Sequence, residues 1–341
     1  MVQHVLRHST MPSNLHIKVL RYLKKCHLKS TTNPIFKNYM LYSKIKQISS
    51  FLPKETLSNQ QLEKMVDTTD EWIQKRTGIL KRHIANTSES VLDLAYNASK
   101  DLDKNIDALI VATYSGEERM PSVACKLANK LGIHSAAAFD INAACSGFLY
   151  AVTMADQFIK NGMFSRIMVV GADKNSNYID WTDRTTCLLF GDGAGSVIIE
   201  SSDHSGIIFS EIGASNEHAD ILKTNRSGID DEFLEMSGKL VFKLAVNTGI
   251  QLIQKVKKEH SIDWVIMHQA NKRIIQAISE KCNIPIEKCI ITIQDHANTS
   301  AASIPLALDH AIKEKTIKTG DNVYCIAFGA GFTWSHTLFK Y

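Results

Sequence analysis

The sequence predicts an α/β protein made of a duplicated unit, with sheets covered by helices and two central helices packed together. Three observations carry this. Apolar runs of strand length alternate with helical segments from Leu41 to the C-terminus, the pattern of sheets flanked by helices. Two stretches, AACSGFLYAVTMADQFIKNGMFSRIMVVGAD from Ala143 and NTSAASIPLALDHAIKEKTIKTGDNVYCIAFGAG from Asn298, share one grammar. Each passes from a turn of small residues through a helix, then lysine and glycine, to an apolar strand that stops at glycine. Neither helix is charged in its first turns, so both are expected to be buried. Finally, 341 residues that are 44% hydrophobic and 22% charged supply a large core. That composition excludes a disordered chain, a collagen-like chain and a coiled coil. No run of about 18 uncharged apolar residues is present to span a membrane.

Residues 1–40 hold seven bases and no acid. They read either as a transit-like segment or as an upstream start, with Met40 as the alternative initiator. The rest of the chain carries 32 of the 39 bases against all 35 acids, so its mild acidity speaks against nucleic acid as a partner. Thr68–Glu71 fits a capping box that opens a helix through Trp72 and ends at Gly78. Strands are expected at Asp107–Thr113, Ala137–Asn142, Arg166–Gly171 and Ser196–Glu200. A helix over Ser146–Lys160 places Phe148, Val152, Ala155 and Ile159 on one face. In the second half, strands are expected at Asp263–Met267 and Asn322–Phe328, with a helix over Ser303–Lys313. The odd count of seven cysteines, without a CxxC pair, predicts free thiols in a reducing compartment, most of them buried.

Several residues could carry chemistry. Cys145 lies between a strand and a helix, where free N–H groups and the dipole favour a thiolate and lower its pKa; a buried structural cysteine is the competing reading. His268 ends the strand Trp264–Met267, at the carboxyl end where α/β sheets gather ligands, though a lone histidine there is often structural. Asn298 sits in the turn before the second central helix, as a helix cap or as a third member of one pocket with Cys145 and His268. Phe328–Phe332 is a glycine-rich loop able to aim N–H groups at an oxyanion, or simply a tight turn. Gly191–Gly195 lacks phosphate-loop spacing and reads as a packing turn. Trp72 and Arg76, one helical turn apart, could clamp a base and a phosphate. Lys272 and Arg273 open a helix, where the dipole disfavours cations; docking of an acidic partner would explain them, as would ordinary surface charge.

Taken together, DTTDEWIQKRTGI, DINAACSGFLYA, TDRTTCLLFGDGAGS, MSGKLVFKLAV, MHQANKRII, HANTSAASIPLAL and AFGAGFTWS resemble one family. It is β-ketoacyl-[acyl carrier protein] synthase III, the initiating condensing enzyme of type II fatty acid synthesis. The resemblance runs from about Leu41 to Tyr341. It implies the thiolase-like fold, a duplicated βαβαβαββ unit in five αβαβα layers, working as a homodimer. The expected division is an N-terminal extension at 1–40, a half at 41–203 with the nucleophile, and a half at 204–341 with the histidine and asparagine.

By resemblance, Cys145 is the nucleophile and His268 and Asn298 complete the catalytic set. The backbone N–H groups of Cys145 and Ala330 form the oxyanion hole. Trp72, Arg76 and Arg184 hold coenzyme A, while Lys272 and Arg273 dock the acyl carrier protein. Met120, lent by the dimer partner, and Phe328 shape the primer pocket. The implied reaction joins a short acyl-coenzyme A, acetyl-coenzyme A above all, to malonyl-acyl carrier protein with loss of CO₂. Acyl-coenzyme A is a substrate, and neither a metal nor another cofactor is expected. The implied location is the cytoplasm, or a plastid or other organelle if residues 1–40 act as a transit segment. A thiolase-fold acyltransferase of secondary metabolism and a cysteine-dependent acyl hydrolase remain as other readings. Ala297, Ala330 and Ser335 stand where the family commonly has glycine, and Thr185 follows Arg184 where glycine is frequent. Lys46–Ser50 replaces a glycine-rich turn, and the stretch between Ser88 and Asp107 is short.

Overall fold

The structure, a computed structural model, describes residues 42–226 and 232–341. The reading of residues 1–40 therefore lies outside the described residues. In chain order the elements are β1 (Tyr42–Phe51), β2 (Thr56–Ser58), α1 (Asn59–Leu62), α2 (Asp70–Thr77), β3 (Lys81–His83), α3 (Val91–Ser99), β4 (Ala108–Ala112), α4 (Val123–Lys130), β5 (Ala137–Ile141), α5 (Gly147–Lys160), β6 (Arg166–Asp173) and β7 (Gly193–Ser202). They continue with β8 (Ile207–Ala214), β9 (Leu222–Arg226), β10 (Glu232–Met236), α6 (Gly238–Val256), β11 (Trp264–Met267), α7 (Lys272–Lys281), β12 (Cys289–Ile290), α8 (Ile293–His296), α9 (Ser303–Lys313), β13 (Asn322–Gly329) and β14 (Thr333–Lys340).

Two five-stranded sheets repeat one topology, β5-β4-β6-β7-β1 and β12-β11-β13-β14-β8. In each, the first three strands run parallel and the last two turn antiparallel. Successive side chains of a strand point to opposite faces, and here both faces are covered. Ile110 and Val169 of the first sheet and Ile266 and Cys325 of the second meet Phe148 and Ile304 in one central core. Their neighbours Leu109 and Met168 face outward onto Leu94 of α3 and Leu127 of α4. Val265 and Ile326 face Leu252 of α6 and Ile275 of α7. The order of layers is thus helix, sheet, helix pair, sheet, helix. β4 is buried along its whole length, which is why its sequence is an unbroken apolar run.

The expected strands and both central helices are present, with ends shifted by up to three residues. The four residues placed on one face of α5 are all buried. The capping box is corrected. Thr69, not Thr68, is the cap: its backbone is extended, and its hydroxyl accepts Trp72 N–H at 3.1 Å. Thr68 Oγ1 is buried without a partner among the described residues. Of the described cysteines, all free, only Cys125 is exposed.

Candidate active site

Two entry turns meet at the centre. Before α5, Asn142 Oδ1 accepts Ala144 N–H at 3.1 Å; before α9, Asn298 Oδ1 accepts Ser300 N–H at 2.9 Å. Ala144 and Ser300 both take positive φ, 46° and 51°. The turns are equivalent, but the counterpart of Cys145 is Ala301 and that of Asn298 is Asn142. The buried carboxylate of Asp173, at the end of β6, accepts Ala301 N–H at 3.1 Å and ties the second turn to the first sheet. Ala297 has φ of 58°, a strained position that accounts for the family's glycine there.

Cys145 is 5% exposed. Burial pushes its thiol up to about 12. The expectation of a lowered pKa at the helix entrance is therefore not met: loss of water around sulfur outweighs the favourable helix end. The resting group is a thiol. His268 donates its backbone N–H to Ile326 O at 2.8 Å, and its Nδ1 lies 2.6 Å from Ser303 Oγ. Burial holds its imidazole down at about 3, so it is neutral at physiological pH. Asn298 is pinned by Leu189 O and Gly191 N at 2.9 and 3.0 Å. With its side-chain oxygen taken by Ser300, its amide NH₂ is the group left to act as a donor. Arg82, fully buried, donates to Leu57 O, Asn59 Oδ1 and Leu188 O at 2.9–3.0 Å and braces that wall.

The C-terminal loop closes onto the cysteine turn. Thr333 Oγ1 lies 2.7 Å from Ser146 Oγ and 3.2 Å from Ala143 O. Ala330 begins the single turn that follows Gly329. Gly191 packs against His296 O and Arg82 and Gly195 against Pro305, so the expected close packing is present, but the expected turn is corrected: Gly193–Gly195 already belong to β7.

Cys145, His268 and Asn298 line one cavity of about 800 Å³, together with Phe328. Its mouth carries Trp72, Arg76, Arg184, Lys239 and Arg273. Among its described lining residues there is no carboxylate. The Arg184 guanidinium stacks 4.5 Å over the Trp72 ring, and its Nε is buried without a partner among the described residues. Arg76 lies 5.8 Å from the same ring. Asn271 caps α7 by accepting Arg273 N–H at 2.9 Å, and donates to Arg76 O at 3.1 Å, joining the two rims of the mouth.

Three expected residues are not lining side chains. Lys272 packs its stem against Gly78, where a Cβ would lie 2.5 Å from the lysine Cβ. Ala330 is adjacent to the cavity through Gly329 and Phe332. Met120 is 83% exposed and away from the cavity of its own chain. Sequence reasoning missed Lys239, Asn271, Ser303 and Thr333. Each lies inside a quoted family motif, but its role depends on contacts across the fold.

A family profile described as 3-oxoacyl-[acyl-carrier-protein (ACP)] synthase III matches residues 139–216, and its C-terminal companion matches residues 254–341. A β-ketoacyl-[acyl-carrier-protein] synthase III of Thioalkalivibrio sulfidiphilus is 43% identical over 323 residues, spanning 89% of this chain and 100% of the relative. The crystal structure of 3-oxoacyl-[acyl-carrier-protein] synthase III from Aquifex aeolicus is 42% identical with a TM-score of 0.84, over 88% of this chain and 100% of that one. The priming β-ketosynthase of the R1128 polyketide pathway is 29% identical with a TM-score of 0.83, over 88% and 96%. The repeated five-stranded sheets are those of the thiolase-like fold, and the chain belongs to the β-ketoacyl-[acyl-carrier-protein] synthase III family.

Proposed function

We propose that this protein catalyses the decarboxylating condensation of a short acyl-coenzyme A, acetyl-coenzyme A above all, with malonyl-acyl carrier protein, the step that initiates fatty acid synthesis. The observation that carries the reading is a thiol and two oriented polar side chains in one buried cavity, entered through a mouth whose described lining carries cations and no acid. Coenzyme A and a carrier-bound phosphopantetheine are both anionic arms ending in a thioester. Trp72 and Arg184, stacked on each other at 4.5 Å, would part to take the adenine between them, with Arg76 and Lys239 near phosphate.

In the first half-reaction Cys145 sulfur attacks the acyl carbonyl and its proton leaves, ultimately on coenzyme A as the free thiol. In the second, the malonyl carboxylate departs as CO₂ and its electron pair forms an enolate. His268 and Asn298, both buried, donate to that oxygen, where such donors act strongly. The enolate carbon then attacks the acyl-cysteine carbonyl, and the backbone N–H groups of Cys145 and Ala330 receive the oxyanion. Collapse expels the cysteine thiolate, which takes a proton from solvent, and releases 3-oxoacyl-acyl carrier protein. The sum is redox-neutral and balances without a further cofactor.

Arg273, beside Lys272, would meet the acidic carrier protein at the mouth. The strand β5 is a free sheet edge with Ala137 exposed, and Met120 is 83% exposed; a second copy pairing along β5 would cover that edge and supply Met120 to its neighbour. Among the described residues no helix is long and apolar enough to cross a membrane. A cytoplasmic setting fits the free thiols.

The test is a panel of acyl-coenzyme A primers with malonyl-acyl carrier protein, following CO₂ and 3-oxoacyl product together. Equal release of the two, with acetyl-coenzyme A among the best primers, is the expected result. Condensation confined to another acceptor would favour the polyketide-type reading suggested by the R1128 relative. Coenzyme A release without CO₂ would mark a hydrolase.

A further inference from the structure

The duplicated unit permits a comparison within the chain. An offset of 156 residues carries the paired strands β4 and β6 onto β11 and β13. The same offset carries Gly147, first residue of α5, onto Ser303, first residue of α9, and Ala112 onto His268. In the first half that pair is apolar contact alone: a Cβ on Gly147 would lie 3.2 Å from the Ala112 Cβ. In the second half the same place holds an imidazole and a hydroxyl, Nδ1 to Oγ 2.6 Å. Both are buried, His268 at 4% and Ser303 at 1% exposure. Burying two polar groups costs free energy unless they are paired, and the fold does without them in its other half.

The direction of this hydrogen bond follows from where the buried hydroxyl can send its one hydrogen. Ser303 Oγ accepts Gln269 N–H at 3.4 Å, which uses one lone pair. Were Nδ1 to carry the hydrogen and donate it, the buried Ser303 O–H would have no acceptor among the described residues; with Nδ1 bare, the hydroxyl gives it its one hydrogen at 2.6 Å. We propose that Ser303 is a positioning residue: its O–H donates to His268 Nδ1, holds the imidazole as the Nε2–H tautomer, and makes His268 a hydrogen-bond donor toward the cavity and not a base for Cys145. The hydrogen bond stands on its own; its catalytic consequence rests on the function proposed above.

Two readouts separate the parts. In full-length protein labelled with ¹⁵N-histidine, long-range ¹H–¹⁵N correlation at pH 7 reports which ring nitrogen of His268 is protonated, with the resonance assigned by its loss in His268→Gln. The expected spectrum is Nε2–H with bare Nδ1, shifting toward a mixture in Ser303→Ala. A histidine held in the wrong tautomer can cost up to about 10⁴ in rate; in Ser303→Ala the wrong form competes with the right one, so malonyl-carrier decarboxylation should fall roughly 10- to 100-fold. Acetylation of Cys145 should keep its wild-type rate, and Ser303→Thr should recover most of the decarboxylation. A wild-type spectrum with Nδ1–H overturns the proposal, as does normal decarboxylation by Ser303→Ala where His268→Ala is impaired. Normal decarboxylation by His268→Ala itself would instead overturn the functional reading, with the spectrum still deciding the hydrogen bond. If Ser303→Ala does not fold, the wild-type spectrum and Ser303→Thr decide.

Discussion

Gly329 lies so close to Ala143 that a Cβ at 329 would sit 2.5 Å from the Ala143 carbonyl oxygen, and 2.9 Å from Ser146 N. Its backbone is extended, φ −138° and ψ 171°, so space and not conformation requires glycine here. The end of β13 thus touches the turn that carries Cys145, and the two halves of the proposed oxyanion hole are held by this one contact and by Thr333.

Gly329→Ala should therefore damage activity more than stability. Overpacking typically costs about 1–3 kcal/mol, while displacing a catalytic group by about 1 Å can cost roughly 100-fold in rate. Thermal unfolding and kcat measured on the same preparation check this. A fully active Gly329→Ala would show that the Cys145 turn does not depend on the contact.

His268→Ala and Asn298→Ala should impair decarboxylation of malonyl-acyl carrier protein by about 10²–10³, the usual loss for one oxyanion donor. Both should still acetylate Cys145. Stopped assays that follow the acetyl-enzyme and CO₂ separately give the two rates. A variant that acetylates poorly yet decarboxylates normally would reverse the proposed division of labour.

Buried His268 and half-buried His296 predict acid sensitivity. Burial holds His268 at about 3 and His296 at about 4, against an ordinary 6.5. The native state keeps these rings neutral while the unfolded chain takes up the protons. Their contribution is present above pH 6.5 and is lost as pH falls toward the native values. Each accounts for at most about 1.4 kcal/mol per pH unit in that window. Urea unfolding of wild type and His268→Asn between pH 7.5 and 5 should show the difference between them shrinking with acidity. A difference independent of pH would mean that His268 is not held neutral.

Arg273→Glu should raise KM for malonyl-acyl carrier protein about tenfold or more at low salt and leave KM for acetyl-coenzyme A much less affected. Arg273 is the cleaner choice than Lys272, whose stem packs on Gly78. The effect should shrink as ionic strength rises, because screening weakens attraction between exposed charges. An unchanged KM at low salt would return Arg273 to the status of surface charge.

Much of this was legible in the sequence, for physical reasons. An unbroken apolar run such as Leu109–Ala112 has one good environment, a sheet covered on both faces, and the uncharged first turns of α5 and α9 have only the space between two sheets. Cys145, His268 and Asn298 stand at strand ends and helix entrances, which local pattern can locate. What local pattern could not supply is distance across the fold. The pairing of His268 with Ser303, the approach of Gly329 to Ala143 and the place of Lys239 at the mouth all depend on residues far apart in sequence. The raised pKa of Cys145 was missed for the same cause, since the helix end is visible in sequence and the depth of burial is not. The paired strands β9 and β10 and the start of α6 mix polar and apolar residues and line the mouth through Leu222, Met236 and Lys239, and their pattern is correspondingly weak.

The central claim is that Cys145 carries the acyl group between the two half-reactions. Incubation with acetyl-coenzyme A followed by peptide mass mapping tests it most directly. The account predicts one acetyl group on the peptide containing Cys145, none in Cys145→Ser, and its disappearance on adding malonyl-acyl carrier protein as CO₂ and 3-oxobutyryl-acyl carrier protein appear in equal amounts. An acetyl group on Cys125 or Cys187 instead, or product formation by Cys145→Ser at the wild-type rate, would contradict it.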